Sequence, residues 1–87
     1  MDFSQALIQL KASQKIARSG WNGKGMWLVL VRGSDNVTVA DGTPYHEAGL
    51  GTVSIDSHID MYTAEGTMQP GWLASQADML ANDWEIV

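Results

Sequence analysis

An α+β domain on a small antiparallel sheet is what this 87-residue sequence predicts. Three observations carry that expectation. Phe3, Ala6, Leu7 and Leu10 recur at the helical period and form one apolar stripe near the start. Thr52–Ile55 and Ile59–Thr63 alternate with a period of two, as half-buried strands do. Ser75 opens a short helical stretch, after which Asp83 to Val87 alternates again. The order helix, strands, short helix, strand places an N-terminal helix on the sheet and a short C-terminal helix before the last strand. The length fits one domain, residues 1–87, with no linker, internal repeat or low-complexity segment.

Asp2 is suited to cap the first helix, with Gln5 completing a capping box. Ile8 lies off the apolar stripe and is left for a partner subunit, and the helix should fade near Ser13. Lys15-Ile16-Ala17-Arg18 reads as a short strand with Ile16 facing in. Met26 to Val31 is apolar on both faces, the pattern of a central strand covered on each side. Arg32 to Asn36 is a turn by composition. Val37 to Val39 reads as a short strand, and Asp41 to Gly51 as a loop. In the strand Ile59–Thr63, Ile59, Met61 and Thr63 share one face, with Asp60 and Tyr62 on the other. Ala64-Glu65-Gly66-Thr67 is a hairpin turn. Met68 to Trp72 returns from it, and Pro70, which has no N–H, marks that return as an edge or irregular strand. Ser75 caps a helix over Ala77 to Ala81, with Asp78 completing a box and Met79 and Leu80 pointing inward. In the last strand Trp84 and Ile86 share a face.

A chain this short buries only about 60–65% of its unfolded surface, so association of copies is expected. No apolar run approaches the roughly 18 residues of a membrane span, and no secretory leader is visible. Cysteine is absent, which removes disulfides and thiolate metal sites. The formal net charge of −5 with five basic residues excludes a DNA or RNA polymer as partner, which needs many cationic contacts to phosphates. A small anion needs only one or two cations and some backbone N–H groups. Arg18, Lys24 and Arg32 lie close together in sequence, and no Lys or Arg follows Ile55.

The stretch Arg18-Ser19-Gly20-Trp21-Asn22-Gly23-Lys24-Gly25-Met26-Trp27 concentrates aromatic, cationic and glycine residues. Asn-Gly signals a tight bend, and glycine lets a backbone approach a ligand closely. A hairpin turn with core tryptophans has the same composition. The first N–H groups of a helix attract phosphate, so a helix start at Ser75 beside Trp72 suits a base joined to a phosphate. A cap that only caps and an indole that only packs would look the same. The Walker pattern fails, because Gly23-Lys24 is followed by Gly25 and Met26. His46 with Glu47, and His58 with Asp60, form a weak acid–base or metal pattern beside the simpler one of solvated residues.

Met1-Asp2-Phe3-Ser4-Gln5-Ala6-Leu7, Ala17 to Met26 and Gly71 to Val87 resemble the phage Thoeris anti-defence proteins of the second type. The resemblance lies at both ends of the chain, about half of it. It does not reach the segment 33–57, where family members vary in length and sequence. It implies a sponge that binds a cyclic ADP-ribose-type signal of a bacterial TIR-domain defence enzyme and holds it without degrading it. Some members also capture cyclic dinucleotides at a separate site. The family implies a homo-oligomer, typically a tetramer, with ligand sites between subunits, acting in the cytoplasm of the infected bacterial host with neither cofactor nor metal.

The residues that carry the resemblance are Trp21, Asn22, Lys24, Trp72, Ser75 and Gln76. Arg18, Gly23, Gly25 and Asp78 join them as expected ligand-binding positions. Trp21 or Trp72 would stack on the base, and Lys24 with the helix start at Ser75 would neutralise the pyrophosphate. Asn22, Gln76 and Asp78 would hydrogen-bond ribose hydroxyls or the adenine edge. A hydrolase of the nucleotide signal, using His46, His58 or Asp60, is the rival enzyme reading. A structural oligomerisation module with tryptophans at its interface is the third.

Overall fold

The carboxylate of Asp2 accepts from the backbone N–H of Gln5 at 2.9 Å, and the Gln5 side chain accepts from the Asp2 N–H at 3.0 Å. This capping box starts helix α1, Phe3–Lys11, in the computed structural model, which describes residues 1–87. Ser13 then takes a left-handed φ of 69° and ends the turn. Strands β1 (Ile16–Arg18) and β2 (Trp27–Val31) follow, then β3 (Ser34–Thr38) and the one-turn helix α2 (Pro44–Glu47). Strands β4 (Thr52–Ile55), β5 (His58–Tyr62) and β6 (Met68–Gln69), helix α3 (Gln76–Leu80) and strand β7 (Trp84–Ile86) complete the chain. The fold is α+β, as its sequence predicts.

Five strands form the main antiparallel sheet in the order β6-β5-β2-β1-β7, so the apolar strand β2 is indeed central. Register places Leu28 opposite Ile16 on one side and Met61 on the other. These side chains face α1. Ala6, Leu10, Ile16, Leu28 and Trp84 make the buried core, with Phe3, Leu7, Trp21, Leu30, Ile59, Met61, Trp72 and Ala81 packed around it. The other face of the sheet carries Trp27 stacked on Tyr62, centroids 4.9 Å apart, with Lys15 Nζ 5.0 Å from the Trp27 ring centre.

Strands β3 and β4 pair only with each other and form an arm that draws the molecule out to 44 Å along its long axis. Of the turn expected over Arg32 to Asn36, Ser34 to Asn36 is instead part of β3. Asn36 absorbs the irregularity with φ 53°, where the pairing register shifts between Ser34 and Val37. The loop expected over Asp41 to Gly51 contains α2, because Pro44 fixes a helical φ at its first position.

Helix α3 corrects one expectation. Met79 and Leu80 do not point inward; they are 47% and 78% exposed. The inward positions are Asp78 and Ala81, since Asp78 is tied to groups beneath the helix. Successive helical residues are rotated by about 100°, so an inward position 78 turns the next two side chains outward. Trp84 and Ile86 differ in depth, one buried and the other half exposed at the sheet edge.

Candidate functional site

The connection from β1 to β2 is built by contacts from the C-terminal part of the chain. Arg18 ends β1 and reaches two carboxylates. Its Nε donates to Asp83 Oδ1 at 2.8 Å and its Nη1 to Asp78 Oδ1 at 2.9 Å. Gly20 N–H donates to the other Asp83 oxygen at 2.7 Å, and Ser19 N–H to the Asp83 carbonyl at 3.1 Å. A Cβ on Gly20 would collide with that carboxylate, so the glycine is what allows the bond. Gly25 holds φ 76°, a left-handed conformation that favours glycine.

Trp21 follows at once. Its Nε1–H donates to Asp78 Oδ1 at 3.1 Å, and its ring meets Trp84 edge-on with centroids 5.4 Å apart. The chain then lines a cleft of about 270 Å³ together with β1, the start of β2 and the end of the chain. Arg18, Trp21, Gly23, Lys24 and Gly25 all border it, as do Trp27 and Glu85. Lys24 is exposed and makes no ion pair, so its ammonium remains free for an anion. Arg18 borders the cleft with two donors already committed. Asn22 is exposed on the same connection without being part of the cleft wall.

Trp72, Ser75 and Gln76 lie elsewhere within the protomer. Trp72 stands edge-on to Trp84 from another side, centroids 6.1 Å apart, and leans on Phe3 at 6.4 Å. The two signature tryptophans therefore meet through Trp84, both half-buried and neither swallowed by the core. Ser75 Oγ accepts from Asp78 N–H at 3.1 Å, and Asp78 Oδ2 accepts from Ser75 N–H at 3.2 Å. Asp78 has both oxygens engaged inside the protomer. Gln76 is exposed at the start of α3.

The charges in this cluster hold one another in the ionised form. The Arg18 guanidinium donates to Asp83 and, with the Gly20 N–H, holds its carboxyl below the usual carboxylate range. Burial pushes Asp78 upward, but hydrogen bonds from Arg18, Trp21 and Ser75 outweigh it and the net direction is down. Arg18 is raised in turn, by Asp83 first and Asp78 second.

The histidines sit apart from the cleft. His46 Nε2 is 3.1 Å from Asp41 on the arm, and His58 Nε2 is 3.6 Å from Asp60 on the sheet. Asp60 is not the solvated residue its sequence suggests: it is buried, and accepts the Gly71 N–H at 2.9 Å. A larger hollow of about 470 Å³ lies on the arm, walled by Val37, Val39, Tyr45, Val53 and Ile55 among others. It is lined without a charged residue.

Sequence reasoning missed Trp27, Glu85, Asp83 and Trp84. Trp27 could have been found from its place at the end of the bend. Glu85 and Asp83 reach the site only because β7 pairs with β1, and that pairing has no local signal.

A family model described as Tad2-like, Thoeris anti-defense 2-like domain, matches residues 1–87. The protein "Thoeris anti-defense 2" of Bacillus phage SP01 is 38% identical over 87 residues, covering all of this chain and 94% of that protein.

Proposed function

The chain belongs to the Thoeris anti-defense 2-like family, and from that premise we propose that it sequesters a cyclic ADP-ribose-type immune signal without degrading it. Family membership supports a phage anti-Thoeris role. The observation that carries the finer reading is the cleft itself. An indole, a free lysine and two glycines border one small concavity, so a base can stack while a pyrophosphate meets a cation and backbone N–H groups. Base-on-aromatic stacking is worth about 1–3 kcal/mol per base. A nanomolar dissociation constant corresponds to about −12 kcal/mol, so several such contacts must act in a closed pocket.

One protomer does not close that pocket. Small-molecule sites enclose about 300–1,000 Å³, and this cleft is about 270 Å³. Only 7 of 87 residues are buried, while Leu73 is 90% and Ile8 64% exposed. Both facts favour a homo-oligomer, a tetramer by family likeness, in which a second copy completes the site and brings Trp72, Ser75 and Gln76 to the ligand. The acid–base pairs lie outside the cleft, which favours capture over hydrolysis. No helix is long and apolar enough to cross a membrane, and the family's anti-defence role supports action in the cytoplasm of the infected host.

The test is recovery of the ligand. The protein is mixed with a panel of cyclic ADP-ribose isomers and cyclic dinucleotides, separated from free ligand, heated, and the released compound identified. Release of intact cyclic ADP-ribose isomer supports sequestration. Recovery of a cleavage product, or depletion of nothing in the panel, overturns it. Calorimetry of Lys24→Ala and Trp72→Ala then assigns the residues: weaker binding is expected in both, and unchanged affinity in both removes them from the site.

A further inference from the structure

Three contacts fix how Trp21 stands at the cleft. Its ring lies edge-on to the buried Trp84 at an interplanar angle of 80°. Its backbone N–H closes a turn onto the Arg18 carbonyl at 3.3 Å. Its Nε1–H is held by Asp78 at 3.1 Å. The third contact also organises the neighbours. The same Asp78 oxygen receives Arg18 Nη1, the other oxygen receives Ser75 N–H, and the Asp78 carbonyl receives Trp84 Nε1–H at 2.9 Å. The Asp78 side chain is 13% exposed and is not part of the cleft wall.

We propose that Asp78 is the positioning residue of the cleft: it sets the indole of Trp21 and the guanidinium of Arg18 in their binding geometry before any ligand arrives, and touches no ligand itself. The proposal rests on the sequestration reading and adds to it a cause of slow release. A side chain already immobile loses no rotamer freedom when a ligand binds. A carboxylate suits the task because charge-assisted hydrogen bonds are about twice as strong as neutral ones. An amide at the same place serves it poorly. Its one oxygen would face Arg18 and Trp21, while its NH2 would face the Ser75 N–H, donor against donor.

The experiment uses the full chain as wild type, Asp78→Asn, Trp21→Phe and the double variant, with a cyclic ADP-ribose isomer as probe. Without probe, the Trp21 indole N–H resonance, identified by its loss in Trp21→Phe, is followed for hydrogen exchange. Faster exchange is expected in Asp78→Asn. With probe, each single variant should release it about tenfold faster, the equivalent of about 1.4 kcal/mol. The double variant should exceed Trp21→Phe by less than the full Asp78→Asn effect, because part of that effect runs through the Trp21 ring and part through Arg18. Wild-type exchange and release in Asp78→Asn overturn the proposal, as does a double variant whose effect is the product of the two. If Asp78→Asn fails to fold, Trp21→Phe decides: release no faster than wild type overturns the assignment. A wild type that retains no probe overturns the sequestration reading instead, and the exchange comparison still decides whether Asp78 holds Trp21.

Discussion

Arg18 and Asp83 stand sixty-five residues apart in the chain and 2.8 Å apart in space. Arg18 ends the first strand; Asp83 opens onto the last. Their contact, doubled by Asp78 on the other side of the guanidinium, joins the two segments that resemble the family most strongly.

That cluster predicts the acid behaviour of the fold. Asp78 and Asp83 both titrate below their ordinary range in the folded chain. A depressed folded value contributes stability that is fully present above the unfolded pKa, about 3.9, and is lost as pH falls through the folded value. Thermal unfolding scanned from pH 7 downward should therefore stay level and then fall below about pH 4. Asp83→Asn should lower the plateau and flatten the fall; an equally steep fall in that variant would remove Asp83 from the cause.

Gly33 predicts a hinge that tolerates no side chain. A Cβ there would press on the Ile55 carbonyl, on Ser57 N at 2.9 Å and on Asp56 carbonyl carbon at 3.1 Å, all backbone atoms of the crossing chain. Its own N–H donates to Ser57 Oγ at 2.9 Å. Overpacking of this kind typically costs about 1–3 kcal/mol. Denaturant unfolding of Gly33→Ala should show a loss of that size, and wild-type stability would mean that the arm shifts freely.

Asp60 predicts a modest cost for losing the bond that anchors Gly71. In Asp60→Ala the Gly71 N–H loses the carboxylate that receives it and His58 loses its neighbour. Gly71 is exposed and the bond only part-buried, so its loss costs about 0.5–1.5 kcal/mol, the net worth of a typical hydrogen bond. The melting temperature should drop, and Asp60→Asn, which keeps an acceptor oxygen, should recover most of it.

Leu73 and Leu80 predict self-association. Both are large, apolar and largely uncovered, beside Trp72 and on α3 respectively. Sedimentation should give a mass of several chains for wild type and a smaller one for the Leu73→Asp, Leu80→Asp variant. An unchanged mass in that variant would place the contact elsewhere.

The helix caps, the central strand and the edge at Pro70 were legible because each is written in adjacent residues. Asp2 with Gln5, and Ser75 with Asp78, need no distant partner to be recognised. The phase of α3 was not legible. Its hydrophobic side chains suggested the inward face, but a long-range ion pair and an indole N–H hold Asp78 inside instead. The arm was hidden for a similar reason: β3 opens on residues that read as a turn, and nothing local says that β3 and β4 leave the main sheet. Of the cleft, the bend with Trp21, Gly23, Lys24 and Gly25 could be seen in the sequence, whereas Glu85 depended on β7 lying beside β1.

The pairing of β7 with β1 sets an order of events during synthesis. The Met1 ammonium donates to the Trp84 carbonyl at 2.8 Å, and Val87 N–H to Lys15 at 3.0 Å, so the opening residues wait for the closing ones. A chain without residues 83–87 has neither Trp84 nor Asp83 to seat Arg18. The wall of the cleft that Glu85 and Val87 supply is therefore in place only once β7 has paired with β1.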